Sequence, residues 1–499
     1  MSEIPVPETA LQPGEAAVEE AKVATKREGA TDWLVPTILG VAMLLQTLNA
    51  NVITNALPTM AVALKVDPLS LNLAITMFLL ASAVFLPISG WVADKFGAKR
   101  IFMAAMVLFA LSSAACGLAN NMAELIVARV FQGAASAMMA PVGRLLLLRT
   151  TPREELVGAL AILTMPAMLG PMLGPVLGGA IVTFASWRWI FYMNLPVALV
   201  ALGLVYRFVP NISEQEVSPL DWLGIALTGV GLAATIFGFE NLGRDKLPPS
   251  LVAGLFVVGI GCLTAYWRHA RNNPHAILDL SIFRIQTFAA STIGGSFMRV
   301  AMGGLPFLLA MLLQLGFGMN AFQAGLTTFV SGAGALLMKN CAPPILRKFG
   351  FRTVLLVNAL IVALSFMSYS LLTPAVPHWI VLVALGAGGF FRSLQMTTMM
   401  GLTYADVEQT RMSRASTTSA IMQQLVQSIG VGLAATLLHT FMVMQGVHHI
   451  STAIVAPVFL VVGMITLLSI PFFLRLPKNV GHDMHGGGGR RGRPAPAAA

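Results

Sequence analysis

The segment Gly90–Arg100 reads GWVADKFGAKR and joins two apolar runs, which we place at residues 69–92 and 100–119. A second segment, Arg347–Arg352, reads RKFGFR and again puts Phe-Gly among basic residues, just before another apolar run. Apolar runs of about twenty residues have the length that a helix needs to cross the hydrocarbon core of a bilayer. Two basic turns of one kind, far apart in the chain, therefore indicate a bundle of membrane helices built as two related halves.

The composition agrees with a membrane bundle, since 56% of the 499 residues are hydrophobic and only 10% are charged. The apolar runs are continuous rather than alternating, which favours helices over a β-barrel. We predict an all-α integral membrane protein with about 14 spans, arranged as six, two and six. The predicted parts are a cytoplasmic N-terminal tail (1–32), a six-helix half (33–208), two inserted helices with a cytoplasmic linker (209–285), a second six-helix half (286–475) and a cytoplasmic low-complexity tail (476–499).

The positive charges predict the orientation of the chain. Of its 31 Lys and Arg residues, 22 fall in segments that share one side if the number of spans is even, and four fall on the other side. Basic residues collect on the cytoplasmic side, so we expect both termini there. The net charge of +10 is explained by these loops and is not read as a sign of nucleic-acid binding. The arginines of the C-terminal tail either contact anionic membrane lipid or belong to a solvated tail without a role.

Three arginines, Arg129, Arg299 and Arg392, lie deep inside apolar runs, whereas no Asp or Glu lies away from a predicted helix end. A charge in the hydrocarbon core costs about 2.5–3.5 kcal/mol on insertion scales, so such residues mark a pathway or binding site by default. Arg144 and Lys339 lie nearer to helix ends, from which long side chains reach the interface, and we expect them to act as anchors.

Four motifs follow in the first half: Arg129–Gly133 reads RVFQG, Gly170–Gly179 reads GPMLGPVLGG, Trp187–Phe191 reads WRWIF and Asn194–Pro196 reads NLP. Together with Gly90–Arg100, their order and spacing resemble those of the major facilitator superfamily. The span count resembles the fourteen-span drug:proton antiporters of the EmrB/QacA type, in particular the MdtD-like branch. The resemblance covers nearly the whole chain. It implies a major facilitator fold, multidrug-type efflux without a cofactor, and a place in a bacterial inner membrane.

The resemblance also assigns residues to roles. Asp94 can form a polar latch with neighbouring basic residues, or the loop can serve only to set topology. Pro171 and Pro175 bend a helix, and the glycines offer a flat face for close packing, which suits either a moving or a static contact. The candidate gate residues are Gly90, Asp94, Gly97, Lys99 and Arg100, and the candidate antiporter-motif residues are Gly170, Pro171, Gly174, Pro175, Gly178 and Gly179.

One position departs from the family pattern. The first span contains LNANVITNALP over residues 48–58 and puts Asn49 where the antiporters carry a membrane-embedded Asp. An amide does not exchange a proton near neutral pH, whereas a carboxylate with a raised pKa does. His439 is the titratable group in an apolar run that could carry the proton in place of that Asp, although a histidine there can also be a packed residue. The candidate substrate or coupling residues are Asn49, Asn51, Arg129, Gln132, Arg299, Arg392 and His439.

Three functions remain open from the sequence. The first is export of small molecules by rocking of the two halves, with proton exchange as the coupling reaction. The second is export of organic anions through a cavity lined by Arg129, Arg299 and Arg392, because guanidinium groups bind carboxylates in a bidentate way. The third is a membrane receptor or scaffold. An enzyme, a metal site and a disulfide framework are not predicted, and the sequence sets no oligomeric state.

Overall fold

We describe the protein from a computed structural model, which covers residues 33–151, 156–210, 221–241, 247–273, 280–408, 411–447 and 449–477. The described residues are nearly all helical and contain no β-strand. The predicted N-terminal tail and residues 478–499 of the C-terminal tail lie outside the described residues.

The described residues form fourteen long helical segments, some of them broken by a short turn. Thirteen helices in the described part are long and apolar enough to span a membrane, and α5, apolar over Leu169–Phe184, takes the remaining position. The predicted all-α membrane fold is therefore confirmed. The segments are α1 Leu34–Leu64, α2 Pro68–Phe85, α3 Ala98–Leu118, α4 Met122–Thr150, α5 Leu156–Phe184, α6 Trp189–Phe208, α7 Trp222–Glu240, α8 Pro249–Asn272, α9 Gln286–Gly316, α10 Ala321–Phe349, α11 Phe351–Leu371, α12 His378–Tyr404, α13 Met412–Met444 and α14 Thr452–Leu474.

The contacts among α1–α6 recur among α9–α14. In the first set, α1 packs on α5 and α6, α4 packs on α2 and α3, and α3 packs on α6. In the second set, α9 packs on α13 and α14, α12 packs on α10 and α11, and α11 packs on α14. Each helix of the first set thus has a counterpart eight helices later, as expected for an internal repeat. We call the two sets the N-terminal and C-terminal halves.

The two halves meet through two matched contacts and one bridging helix. α5 packs on α10, and α2 packs on α13. In the repeat, α13 is the counterpart of α5 and α10 is the counterpart of α2, so both halves contribute equivalent helices. α7 packs on α8 and also on α2 and α13, where Ile236 joins Leu80 and Ile421 in a small hydrophobic cluster. α7 therefore covers the seam between the halves, while α8 packs chiefly on α7.

The two basic segments are tighter turns than the predicted loops. After α2 a helix runs over Ile88–Phe96, and α3 begins directly after Gly97. Likewise α10 ends at Phe349 and α11 begins after Gly350. Gly97 has φ 93° and Gly350 has φ 73°, a region that side chains disfavour, so one glycine is enough to reverse the chain. We call the end of the bundle with these two turns the basic end, and the opposite end the far end.

The hydrophobic core shows which end is closed. One cluster joins far-end residues of the N-terminal half, such as Leu57 and Ile190, to the C-terminal half. A separate cluster contains basic-end residues of the N-terminal half, such as Phe102 and Leu147. Apart from the seam under α7, the halves share a core at the far end but not at the basic end. The cleft between them therefore opens toward the basic end.

Candidate functional site

Two adjoining cavities lie in this cleft, with volumes of about 410 and 400 Å³. The first, which we call the Arg392 cavity, lies largely against α10 and α12. The second, which we call the Asn51 cavity, lies against α1, α2 and α13. Thr54, Pro171 and Met302 line both cavities, which makes them one continuous space along the interface of the halves.

The walls of this space are mainly apolar, with methionines prominent among them. Met172 and Met396 face the Arg392 cavity, and Phe78 and Phe307 face the Asn51 cavity. Methionine side chains are flexible and polarizable, so such a wall adapts to ligands of different shape. The polar groups of the wall are mostly amides and hydroxyls, including those of Gln46, Thr47, Asn51, Thr54, Asn55, Ser136, Thr328, Ser331, Ser393, Gln424 and Gln427.

Arg392 is the one of the three embedded arginines that lines the cavity space among the described residues. Its Nη1 donates to Tyr369 Oη at 2.8 Å, and its Nη2 donates to Ser331 Oγ at 2.6 Å. The Phe366 ring lies 5.7 Å from the guanidinium carbon. These neutral partners hold the guanidinium in place without cancelling its charge. Neither Tyr369 nor Ser331 was predicted, because their approach to Arg392 depends on how α11 and α10 pack on α12.

Lys339 was expected to be an interfacial anchor, and the structure adds a cavity-lining position to that expectation. Its side chain is exposed and lines the Arg392 cavity from α10. Ser331 and Lys339 are eight positions apart, so they lie on the same face of this helix. The sequence could not show that this part of α10 faces the cleft, because that depends on how the two halves pack.

Arg129 is fully buried at the far-end side of the N-terminal half and does not line either cavity. Its Nε donates to Ala74 O at 3.1 Å and its Nη1 donates to Gln132 Oε1 at 2.6 Å. The Phe78 ring lies 4.2 Å from its guanidinium carbon and separates it from the Asn51 cavity. No carboxylate contacts Arg129 among the described residues.

A network of neutral side chains continues from Gln132. Its Nε2 donates to Ser113 Oγ at 2.6 Å and to Asn49 Oδ1 at 3.3 Å. Asn194 Nδ2 donates to the same two oxygens, at 3.1 Å to Asn49 and 3.3 Å to Ser113. All these residues are buried, so Asn49 lies in a sealed amide network while Asn51, two residues later, lines the cavity. Sequence reasoning did not identify Ser113, since a single serine in an apolar run carries no signal.

The remaining candidates lie apart from this network. Arg299 is 2% exposed, and its Nη1 donates to Ser291 O at 3.2 Å. Its Nε and Nη2 have no partner among the described residues. His439 is half-buried in the last two turns of α13, toward the far end. The structure therefore does not bring Arg129, Arg299 and Arg392 together in one cavity.

The cleft, the internal repeat and the bundle agree with the family of proteins that this chain matches. A model of the Major Facilitator Superfamily matches residues 39–435. This chain belongs to the Major Facilitator Superfamily. It is 35% identical over 455 residues to MdtD of Shigella sonnei, provisionally named a multidrug resistance protein, with 91% of this chain and 94% of that protein covered. MdtD of Pectobacterium atrosepticum is 36% identical over 408 residues, covering 81% and 86%.

Solved structures show the same fold. A D-xylose-proton symporter superposes with a TM-score of 0.65 at 15% identity, covering 90% of this chain and 98% of that one. A POT family transporter in complex with 5-aminolevulinic acid gives a TM-score of 0.66 at 14% identity, covering 89% and 95%. The predicted family and fold are confirmed. This Major Facilitator Superfamily member is a multi-pass membrane transporter rather than an enzyme, because its family and relatives are transporters.

The Gly/Pro motif of this transporter serves two contacts. Pro171 and Pro175 line the cavity, and Asn55 Nδ2 donates to Pro175 O at 3.1 Å. Gly179 faces α10 of the other half, where any side chain would collide with the Ala321 backbone. The other glycines face α1 within the same half, since a Cβ there would meet Thr47, Asn51 or Val52; they are Gly170, Gly174 and Gly178.

The basic turns of this transporter are tied to helix ends within each half. Lys99 Nζ donates to Tyr206 O at 2.9 Å, near the C-terminus of α6. Arg352 Nη2 donates to Leu474 O at 2.8 Å, at the corresponding end of α14. A cation there bonds a carbonyl that the helix leaves unpaired. Of the other gate candidates, Asp94 is half-buried and Gly90 and Arg100 are exposed. The gate role of all five residues stays a prediction.

Proposed function

We propose that this transporter exports small molecules from the bacterial cytoplasm by alternating access. The observation that carries the proposal is the cavity between the halves, open at the basic end and closed at the far end. The two basic turns lie at the open end, and the distribution of positive charge along the sequence assigns that end to the cytoplasm, together with both termini. Rocking of the N-terminal half against the C-terminal half would expose the same cavity to the other side.

The wall of the cavity supports a broad range of substrates. Apolar and methionine side chains contribute affinity without strict geometry, and a few amides and hydroxyls orient the ligand. The relatives are named for multidrug resistance, which agrees with a wall that accepts varied ligands, and we propose the same kind of efflux here.

Proton exchange is the coupling reaction that we propose for export. Among the described residues, the amide network around Asn49 contains no carboxylate, so the titrating group must lie outside this network. His439 is the candidate, since imidazole changes its charge near neutral pH. We expect His439→Gln to abolish proton movement driven by substrate, while downhill substrate exchange continues. Unchanged proton movement in this variant would rule out His439 as the coupling group.

The test uses purified protein in liposomes with an imposed pH gradient. Three probes with one aromatic body are added in turn: naphthylmethyl-trimethylammonium, 2-naphthalenesulfonamide and 2-naphthalenesulfonate. We expect at least one probe to cross the membrane and to change the lumenal pH. Crossing without any change in lumenal pH would overturn the coupling only. Binding of probes without crossing would instead favour a receptor or scaffold and overturn the export proposal.

A disulfide cross-link that holds the far end closed provides a control for alternating access. Thr183 Oγ1 accepts from the Phe322 backbone N–H at 3.2 Å across the two halves, so cysteines at these positions can be cross-linked. In a background without Cys262 and Cys341, which are free thiols, we expect the oxidised pair to stop transport and reduction to restore it. Undiminished transport with the far end locked would exclude alternating access through this cleft.

A further inference from the structure

The charges on the cavity wall all have one sign. Among the described residues that line the two cavities, the charged side chains are Arg392 and Lys339, and no Asp or Glu is present. A cationic ligand would meet only like charge in this space. An anionic ligand would supply the counter-charge that the wall lacks, which is favourable where the dielectric is low.

Arg392 is prepared for such a ligand. The residue is 5% exposed, and two of its N–H groups are fixed by Tyr369 and Ser331. Both partners are neutral hydroxyls, so among the described residues no counter-charge contacts the guanidinium, and its other N–H groups have no hydrogen-bond partner there. A fixed guanidinium with free donors binds a carboxylate or sulfonate without first paying the entropy of ordering a long side chain.

Lys339 extends the positive wall toward the basic end. It lies eight residues beyond Ser331 on the same face of α10, which corresponds to about 12 Å along the helix axis. Its exposed ammonium therefore lies between the cleft opening and Arg392. A cation in this position raises the local concentration of anions and speeds their entry.

We propose that the Arg392 cavity binds an amphipathic organic anion, with its acid group on Arg392 and its apolar body against Met172, Met302 and Met396. Lys339 attracts the anion from the basic end. This inference rests on the proposed export function and names its substrate class. A lipid phosphate offers similar chemistry, but a cavity of about 410 Å³ has the size of a site for one drug-sized molecule. We therefore assign a soluble anion.

The experiment measures equilibrium binding of the three naphthalene probes to the full-length protein in phosphatidylcholine nanodiscs. We expect the sulfonate to bind about tenfold more tightly than the neutral sulfonamide, and the ammonium probe to bind most weakly. Arg392→Gln should remove this preference for the sulfonate while changing sulfonamide affinity little. Equal affinity of the wild-type protein for sulfonate and sulfonamide, or preference for the ammonium probe, overturns the proposal.

Two variants on α10 test the proposal if Arg392→Gln does not fold. Lys339→Gln should slow sulfonate association severalfold and reduce its dependence on salt. Lys348→Gln removes the same charge from an exposed position of α10 that lines neither cavity, and should leave binding unchanged. Equal effects of the two variants would overturn the role of Lys339, because net charge alone would then explain the result.

Two further measurements distinguish a soluble anion from a lipid headgroup and the anion inference from the export proposal. Binding in discs that contain phosphatidylglycerol should match that in phosphatidylcholine, and loss of sulfonate binding there would overturn the assignment to a soluble anion in favour of a lipid headgroup. The liposome assay separates this inference from export. Transport of the sulfonamide or ammonium probe without any sulfonate preference overturns only the anion inference, whereas sulfonate binding without transport overturns only the export proposal.

Discussion

At the scale of single residues, the main feature is an arginine buried among neutral partners. Gln132 connects Arg129 to Asn49 and Ser113, and Asn194 bonds the same two oxygens. Each amide and hydroxyl supports the next, so the network holds α1, α3, α4 and α6 together. Breaking one of these hydrogen bonds leaves a further buried polar group unpaired, which costs free energy.

We expect Asn49→Leu to destabilise the protein more than Asn51→Leu does. Asn49 Oδ1 accepts hydrogen bonds from the buried amides of Gln132 and Asn194. Leucine accepts neither, and each buried N–H left unpaired costs about 1–3 kcal/mol of folding free energy. Asn51 donates only to Thr47 O in its own helix, and its side chain faces the cavity. The apparent melting temperature in detergent measures the difference, and equal melting temperatures of the two variants would contradict the network.

At the scale of helices, the repeat reuses its contacts with different residues. Lys99 in one half and Arg352 in the other each bond a carbonyl at the end of the sixth helix of that half. Gly97 and Gly350 make the corresponding turns. The basic turns thus fasten each half internally, which is a structural role separate from any gate.

We expect Lys99→Met and Arg352→Met to lower the apparent melting temperature while leaving transport in place. A cation at a helix C-terminus contributes about 0.3–1 kcal/mol at a partly exposed site. Arg100→Met is the control for the melting temperature only, since Arg100 is an exposed basic residue of the same turn but is itself a gate candidate. Loss of transport with unchanged melting in Lys99→Met would instead support the gate function that the family resemblance implies.

At the scale of the whole molecule, the halves are joined at the far end and along the seam under α7. Gln314 Nε2 donates to Asn55 O at 2.9 Å, and Asn72 and Ser428 bond Val431 O and Thr76 O across the α2–α13 contact. Alternating access requires the far-end contacts to open as the basic end closes. Because α7 packs on both α2 and α13, it must move with both helices during this change.

We expect opposite distance changes at the two ends when substrate is transported. Spin labels at Lys95 and Lys348, exposed beside the two basic turns, should move closer together under turnover. Labels at Val62 and Thr373, exposed at the far end, should move apart. Double electron–electron resonance measures both distances in nanodiscs. A change at only one end, or changes in the same direction, would argue against rocking of two rigid halves.

The sequence alone predicted the class of fold because its signals are local. Apolar runs long enough to span the bilayer, the excess of basic residues on one side and the repeated Phe-Gly turns each follow from neighbouring residues. The family motifs could also be identified from the sequence alone, and the family that they imply is confirmed. The second span was predicted to end at residue 92, whereas a helix continues through Asp94 as far as Phe96 and Gly97 alone makes the turn.

The tertiary structure alone decided what each embedded charge faces. Arg129, Arg299 and Arg392 look alike in the sequence, yet only Arg392 lines the cavity space, and Lys339 lines it too. Which side of a helix meets the other half depends on the packing of helices that are distant in the chain. The sequence thus determined a two-half membrane transporter, and the packing of those halves placed one arginine and one lysine in the cleft and sealed the other two arginines in the protein interior.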